Sequence, residues 1–307
     1  MEFSAVVLAV AMAWQPDPAA LAPLYRQALS ARETELGPAH PAVARAASDL
    51  GLFLRNQGDR AGAQPLLERA LAIDEQALGA GDSTTGQDLE NLASVLAPPD
   101  ALPLLRRAAE HQDPAIAARN LAKLAALAQS REEAIALSRR ALSKQETASG
   151  ASHPLVAVRL NDLALLIEPA PAEPLLRRAL AIQEKSLGAS HPETAVTLNN
   201  LANVLLAEGR VAQAEPLARR GLSILENALG PDHPRVAVSA SNLADILRAR
   251  KDYLSARRLY ERALTIDERA FGPKHREVAA DIENLAGLLE EMGLPDQALR
   301  LRLKAAQ

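Results

Sequence analysis

The chain has 307 residues, about twice the length of a typical single domain, and 48% of them are hydrophobic. It contains no cysteine, which excludes disulfides, thiol catalysis, iron–sulfur clusters and cysteine-bound zinc. Its 34 basic and 38 acidic residues are interspersed and give a net charge of −4, so no basic block indicates a nucleic-acid partner.

The N-terminus carries an apolar run, FSAVVLAVAMA, at residues 3–13. It ends in Ala-x-Ala, as a signal peptide does, but no Lys or Arg precedes it. One interpretation is a signal peptide at residues 1–13 of an exported protein, and the other is the first helix of a helical array in a cytoplasmic protein. The run is too short to cross a bilayer, which needs about 20 residues, so the sequence predicts no membrane span.

A short motif recurs along the chain. The stretch TLNNLANVL at 197–205 returns as SASNLADIL at 239–247 and as DIENLAGLL at 281–289, a period of 42 residues. The polar residue before the central leucine defines an anchor column, which consists of Asp49, Asn91, Asn120, Asp162, Asn200, Asn242 and Asn284. A period of this length predicts a solenoid in which neighbouring repeats share one core.

Each repeat shows the pattern of two amphipathic helices. In one repeat the apolar stripes are Val196, Leu198, Leu201, Ala202 and Leu205 in the first helix, and Ala214, Leu217, Ala218, Leu222 and Leu225 in the second. The stretch LGPDHPRVA at 229–237 follows, in which Gly230 predicts a left-handed helix end and Pro234 a first helical turn. Similar stretches stand at 36–44, 187–195 and 271–279.

These signals divide the chain into eight predicted helix pairs. Their approximate bounds are 1–37, 38–79, 80–111, 112–150, 151–188, 189–230, 231–272 and 273–307. Two repeats have shorter turns, within 93–105 and 164–176, where proline pairs favour a tight turn. We expect a change of curvature near 97–114, where the following loop is also shortened.

The motifs LGPDHPRVA, LNNLA and AEPLARRGL together resemble the tetratricopeptide repeats of the kinesin light chain class. The resemblance covers nearly the whole chain, although the aromatic core positions of that class are mostly leucine here. It implies an all-α, right-handed tetratricopeptide-repeat solenoid of about eight helix pairs. It also implies a protein–protein interaction scaffold that binds a peptide or partner protein in a concave groove, with no catalysis and no cofactor.

By the same resemblance, the anchor column of the first helices lines this groove. The expected peptide-binding residues are Asn91, Arg119, Asn120, Lys123, Asp162, Asn199, Asn200, Asn203, Asn242, Asp245 and Asn284, with Glu90, Ser241 and Glu283 beside them. An asparagine amide both donates and accepts hydrogen bonds, so a row of amides can pair with an extended peptide. The alternative is that each asparagine ties adjacent first helices together, and the sequence leaves both interpretations open.

Two loop features suggest other sites, and each has a simpler interpretation. Five of the six histidines lie in loops, where we expect capping or loop hydrogen bonds, because loops of stacked helices lie about 8–10 Å apart and cannot share a metal ion. The stretch GAGDSTTG at 79–86 lacks both phosphate-loop motifs and occupies the place of an inter-repeat loop. No catalytic constellation is evident, so the sequence predicts no enzyme and no metal site.

Two alternatives to a peptide-binding scaffold stay open. One is a self-assembling structural solenoid that forms homo-oligomers through its terminal repeats, since LRLRLKAA at 299–306 and the N-terminal run are apolar enough to pair with a second copy. The other is a regulatory sensor subunit of an enzyme complex.

Overall fold

The computed structural model describes residues 18–305 and contains fifteen α-helices and no strand in that range. In chain order they are α1 (Pro18–Leu36), α2 (Pro41–Asn56), α3 (Arg60–Ala77), α4 (Ser83–Ala93), α5 (Pro98–Ala109), α6 (Pro114–Ala126), α7 (Arg131–Ser149), α8 (Pro154–Ala164), α9 (Pro169–Ser186), α10 (Pro192–Ala207), α11 (Val211–Leu229), α12 (Pro234–Ala249), α13 (Tyr253–Phe271), α14 (Arg276–Glu291) and α15 (Pro295–Ala305). Even-numbered helices are the first helices of their repeats, and odd-numbered helices are the second. The chain forms two compact units, Met1–Lys144 and Gln145–Gln307.

Histidines at the starts of first helices explain why these helices begin where they do. At five starts, Nδ1 of a histidine accepts a hydrogen bond from the backbone N–H two residues later, at 3.0–3.3 Å. The five N-caps are His40, His153, His191, His233 and His275. Each cap satisfies one of the backbone donors that a helix start leaves unpaired. The predicted capping role of these histidines is confirmed.

Glycines end two of the second helices with a positive φ. Gly230 and Gly272 have φ of 88° and 83°, with ψ of 157° and 159°. The prediction of a left-handed helical residue at Gly230 is therefore right in φ and wrong in ψ. The extended ψ directs the chain away from the helix into the loop, and glycine is almost the only residue that adopts this combination. Pro234 lies in the first turn of α12, as predicted.

In the first unit, each helix from α1 to α5 packs on the helix that follows it. The first helices also contact one another, α2 with α4 and α4 with α6. The main core cluster contains Leu50, Leu67 and Leu89, and a smaller cluster surrounds Leu105 and Leu121. The change of curvature expected near 97–114 stays a prediction.

In the second unit, each helix from α8 to α14 packs on the next, and the first helices α10 and α12 contact each other. One core cluster runs through the unit. Its fully buried members include Leu198, Leu201, Leu243 and Tyr260. Each helix pair thus buries its apolar stripes against its neighbours, as stacked repeats require.

The apolar stripe of α10 differs from the predicted one. Leu198 and Leu201 are fully buried, but Val196 is only half-buried, while Thr197 and Asn199 are buried. The reason is that α10 is covered on two sides, by its own second helix and by the neighbouring first helix α12. A single apolar stripe with a 3.6-residue period describes only one buried side of α10, and the side that faces α12 is not part of it. In α11, the predicted Leu217 is likewise half-buried.

The structure confirms the predicted all-α fold of stacked helix pairs. Seven complete pairs, from α2–α3 to α14–α15, follow α1, which stands in the place of a second helix. The first helix predicted before α1 and the predicted signal peptide at residues 1–13 lie outside the described residues. The exact repeat bounds stay predictions. None of the described helices is long and apolar enough to cross a membrane.

Candidate peptide-binding face

The first helices of each unit present a row of side chains around the anchor column. The positions four residues before and three residues after an anchor lie on the same side of the helix as the anchor itself. We call these three positions the first-helix face of each unit. In the second unit it consists of Val158, Asp162 and Leu165 in α8 and its flank, Val196, Asn200 and Asn203 in α10, Val238, Asn242 and Asp245 in α12, and Ala280, Asn284 and Gly287 in α14.

Amides in this face and beside it tie the first helices of the second unit together. Asn161 donates through Nδ2 to the hydroxyl of Thr197 at 2.8 Å, and Asn200 donates to Oδ1 of Asn161 at 3.0 Å. Asn199 donates to the hydroxyl of Ser239 at 2.9 Å and accepts from the same hydroxyl at 3.2 Å. Of the predicted peptide-binding residues, Asn199 and Asn200 therefore connect successive repeats.

Two predicted residues of the first unit lie in similar contacts. Asn91 donates through Nδ2 to the hydroxyl of Ser48, in the preceding first helix, at 3.2 Å. Asn120 is fully buried, and its Nδ2 donates to the carbonyl of Ile116, in its own helix, at 2.8 Å. Each amide therefore already has a hydrogen-bond partner within the protein.

Arg119 and Lys123 form an ion cluster around Glu90. Glu90 has a side chain only 4% exposed, and it accepts from Nε of Arg119 at 3.1 Å and from Nζ of Lys123 at 3.1 Å. Burial alone would raise the pKa of the Glu90 carboxyl, but the hydrogen bonds and charges of the two cations outweigh it and hold the pKa below its ordinary value. The two cations are thus partly neutralised, although both remain accessible to solvent.

Three predicted amides of the second unit have no side-chain hydrogen bond among the described residues. Asn242 and Asn284 are half-buried, and Asn203 is exposed. They follow one another along α10, α12 and α14. These three side chains can both donate to and accept from a ligand.

The two acidic members of this face already have partners. Asp162 accepts from Arg159 at 2.8 Å, and Asp245 accepts from the hydroxyl of Tyr260. Burial raises the pKa of both aspartates above the ordinary value, and these partners offset only part of the rise. Both carboxyls are therefore already engaged within the protein.

The same face also carries exposed apolar side chains. Val158, Val238 and Leu165 are 36%, 56% and 68% exposed. The anchor column and its immediate neighbours do not include them, so they could not be predicted from that column. The signal that could have found Val158 and Val238 is a valine four residues before the anchor, which recurs in three successive repeats at positions 158, 196 and 238.

The first-helix face of the first unit is more polar and contains a cleft of about 680 Å³. Its polar lining includes Arg32, Arg45, Asp49, Gln87 and Asn91. The two arginines and the aspartate are exposed. This part of the molecule therefore offers charges where the second unit offers valines and free amides.

Both loop features make hydrogen bonds at the starts of first helices. No group of three His, Asp or Glu side chains among the described residues can hold a metal ion. The loop at 79–86 is closed by its own hydrogen bonds, since Asp82 caps α4 through the N–H of Thr84 at 2.8 Å and Thr85 donates to the carbonyl of Gly79 at 2.9 Å. It is an inter-repeat loop, as interpreted from the sequence.

Comparison with known families agrees with this architecture. A tetratricopeptide repeat profile matches residues 7–76, 170–227, 196–269 and 235–306, and a second tetratricopeptide repeat profile matches 115–155. The chain belongs to the tetratricopeptide repeat family. No curated protein matches this tetratricopeptide repeat chain.

Solved structures similar to this tetratricopeptide repeat protein include kinesin light chain-like repeats at low identity. One is a kinesin light chain-like protein of Podosopora anserina whose TPR-like repeats are nearly identical to one another. It is 22% identical to this chain, with 76% of this chain and 98% of that chain covered and a TM-score of 0.39. BtubC (BKLC) of P. vanneervenii is 15% identical, with 87% and 88% covered and a TM-score of 0.43. A Rap protein complexed with Competence and Sporulation Factor is 13% identical, with 92% and 76% covered and a TM-score of 0.55. At these identities the likeness shows the fold alone.

Proposed function

We propose that this protein is an interaction scaffold without catalysis, and that the first-helix face of its second unit binds a peptide segment of a partner protein. The observation that carries the proposal is a face that holds three amides with no side-chain hydrogen bond among the described residues, Asn203, Asn242 and Asn284, together with the exposed Val158 and Val238. Such amides and apolar side chains on one face offer both of the contacts that a peptide needs.

The chemistry of this face favours a segment with apolar side chains and free backbone amides. Each amide hydrogen bond contributes about 1 kcal/mol net, and each buried valine or leucine about 1.5–3 kcal/mol. After the cost of ordering the segment, a few such contacts support an affinity of about micromolar, near −8 kcal/mol. The amides of Asn203, Asn242 and Asn284 are uncharged, so the part of the peptide that contacts them needs no particular net charge.

The test uses peptides selected by the full-length protein from a random phage-displayed library. Their dissociation constants are measured by fluorescence anisotropy for the unaltered protein and two variants. Val238→Asp places a charge in this face, and Leu254→Asp places the same charge on α13, where Leu254 is 68% exposed. We expect Val238→Asp to weaken binding at least about tenfold and Leu254→Asp to leave it unchanged. Equal effects of the two variants would exclude this face as the binding surface.

A second candidate function is self-association through the last helix. Leu299 and Leu303 of α15 are 57% and 56% exposed and lie one helical turn apart, whereas Leu301 packs against the core. This arrangement gives α15 a small apolar surface that a second copy could cover. No corresponding observation supports a sensor subunit of an enzyme complex.

A further inference from the structure

Two pairs of buried aspartates occupy equivalent places in the two units. Asp74 of α3 contacts Asp88 of α4, and Asp267 of α13 contacts Asp281 of α14. The four residues are only 2–6% exposed. Asp74 and Asp267 belong to second helices. Asp88 and Asp281 each belong to the first helix of the following repeat.

A serine from the preceding first helix extends each pair. Ser48 of α2 donates to Oδ1 of Asp88 at 3.4 Å, and Ser241 of α12 donates to Oδ1 of Asp281 at 3.3 Å. Each network therefore joins three helices, namely two successive first helices and the second helix between them. A change in the charge of either pair acts directly on the junction between repeats.

Each pair leaves one buried oxygen on each carboxyl without a hydrogen-bond donor. These atoms are Oδ1 of Asp74, Oδ2 of Asp88, Oδ1 of Asp267 and Oδ2 of Asp281. Buried polar atoms are almost always hydrogen-bonded, and two carboxylates in contact repel each other. One proton shared within each pair makes one carboxyl a donor to the other and removes both costs.

The chain contains an uncharged equivalent of these junctions. Gln183 of α9 stands where the second-helix aspartate stands elsewhere, and Thr197 of α10 replaces the first-helix aspartate. The hydroxyl of Thr197 donates to Oε1 of Gln183 at 2.6 Å, and Asn161 takes the place of the serine. Stacking of repeats therefore does not require acids at these positions.

The charges around each pair are few. Asp82 acts on the first pair, and Arg32, Arg45 and Asp49 line the cleft beside it. Glu277 and His275 act on the second pair. Burial, followed by the neighbouring carboxyl, raises the pKa of Asp88 and of Asp281 to about 7 each.

We propose that each aspartate pair is a proton-sharing clamp, which holds successive repeats together more tightly below neutral pH than above it. The unfolded carboxyls release their protons near the ordinary pKa of 3.8, whereas the folded pair keeps one proton up to about pH 7. Folding therefore takes up protons between these two values. The clamps contribute their full stability below about pH 4, and they lose it progressively as the pH rises through 7.

The test compares the full chain with two double variants that remove the same charge. Asp88→Asn with Asp281→Asn supplies a permanent donor in each pair, whereas Asp100→Asn with Asp232→Asn changes two exposed aspartates away from the pairs, one in each unit. Thermal midpoints are measured by circular dichroism at pH 5.5 and pH 8.5. At pH 8.5 we expect the paired-site variant to melt about 3 °C or more above the exposed-site variant, and at pH 5.5 this gain should vanish or reverse. The same difference at both pH values would overturn the proposal.

A second measurement decides the point even where a variant fails to fold. The unaltered chain is titrated by infrared spectroscopy, which distinguishes the carbonyl stretch of a protonated carboxyl from the bands of a carboxylate. We expect a protonated-carboxyl band at pH 6 that disappears by about pH 8.5. A chain without that band at pH 6 would show that the pairs hold no proton, and the proposal would fail.

Discussion

Histidine serves as the N-cap at five first helices, where serine, threonine, aspartate or asparagine would be usual. Two other first helices use aspartate in the same place, Asp82 for α4 and Asp113 for α6, and each accepts at 2.8 Å from the N–H two residues later. The position therefore requires an acceptor at that distance and not an imidazole as such. The recurrence of the cap explains why the loop sequence recurs.

We predict that His191→Ala lowers the free energy of unfolding by about 1 kcal/mol, because the N–H of Glu193 loses its acceptor. His191→Asp should restore most of that loss, since aspartate caps α4 and α6. Urea denaturation followed by circular dichroism measures both. Equal destabilisation by the two substitutions would show that the ring, and not its acceptor, stabilises the helix start.

The asparagines divide into amides that tie repeats and amides without a partner. Asn242→Ala with Asn284→Ala should weaken a selected peptide about tenfold and leave the thermal midpoint nearly unchanged. Asn199→Ala should instead lower stability by about 1–3 kcal/mol, because Ser239 is left buried without its partner. Thermal melts and anisotropy titrations on the same samples separate the two effects. If Asn199→Ala weakened peptide binding while Asn242→Ala with Asn284→Ala lowered the thermal midpoint, this division would be contradicted.

At the scale of helices, the packing of α2 on α3 depends on a residue without a side chain. A Cβ placed on Gly51 would lie 2.8 Å from Cγ of Leu67 and 3.3 Å from the carbonyl oxygen of Ala63. We predict that Gly51→Ala destabilises the chain by about 1–3 kcal/mol through overpacking. Gly287→Ala is the matched control, since its nearest atoms are those of Arg248 at 3.8 Å, and it should stabilise α14 by about 0.5–1 kcal/mol. Urea midpoints that shift alike in both variants would contradict the close packing.

The arrangement of the helices could be predicted from the sequence because three signals agree. The 42-residue period, the apolar stripes and the loop motifs each place a helix end at the same point, as at Gly230 and Pro234. The burial of Thr197 and Asn199 could not be predicted in this way. It depends on the neighbouring first helix, which the pattern of one helix does not include.

The candidate site was predicted in part for the same reason. The anchor column identified the helices that carry it, and Asn242 and Asn284 have no side-chain hydrogen bond within the described part of the chain. Whether an amide has a partner is decided by a residue about 40 positions away, as the bond between Asn199 and Ser239 shows. The apolar half of the face, Val238 among it, was missed because the analysis followed polar residues.

At the scale of the whole molecule, the exposed leucines of α15 predict weak self-association. Multi-angle light scattering should give a mass that rises with protein concentration. Leu299→Glu with Leu303→Glu should reduce that rise, because burying each leucine contributes about 1.5–3 kcal/mol. Leu254→Glu changes another exposed leucine and serves as the control, and it should leave that rise unchanged. A monomeric mass at every concentration would exclude self-association through α15.

We propose that the first-helix face of the second unit binds a peptide. This proposal is tested most directly by methyl NMR of the full chain, with valine and leucine methyl groups labelled and a selected peptide added. We expect the methyl signals of Val158, Leu165 and Val238 to shift on binding and that of Leu254 to stay unchanged. Shifts at Leu254, with the valine signals unchanged, would contradict it.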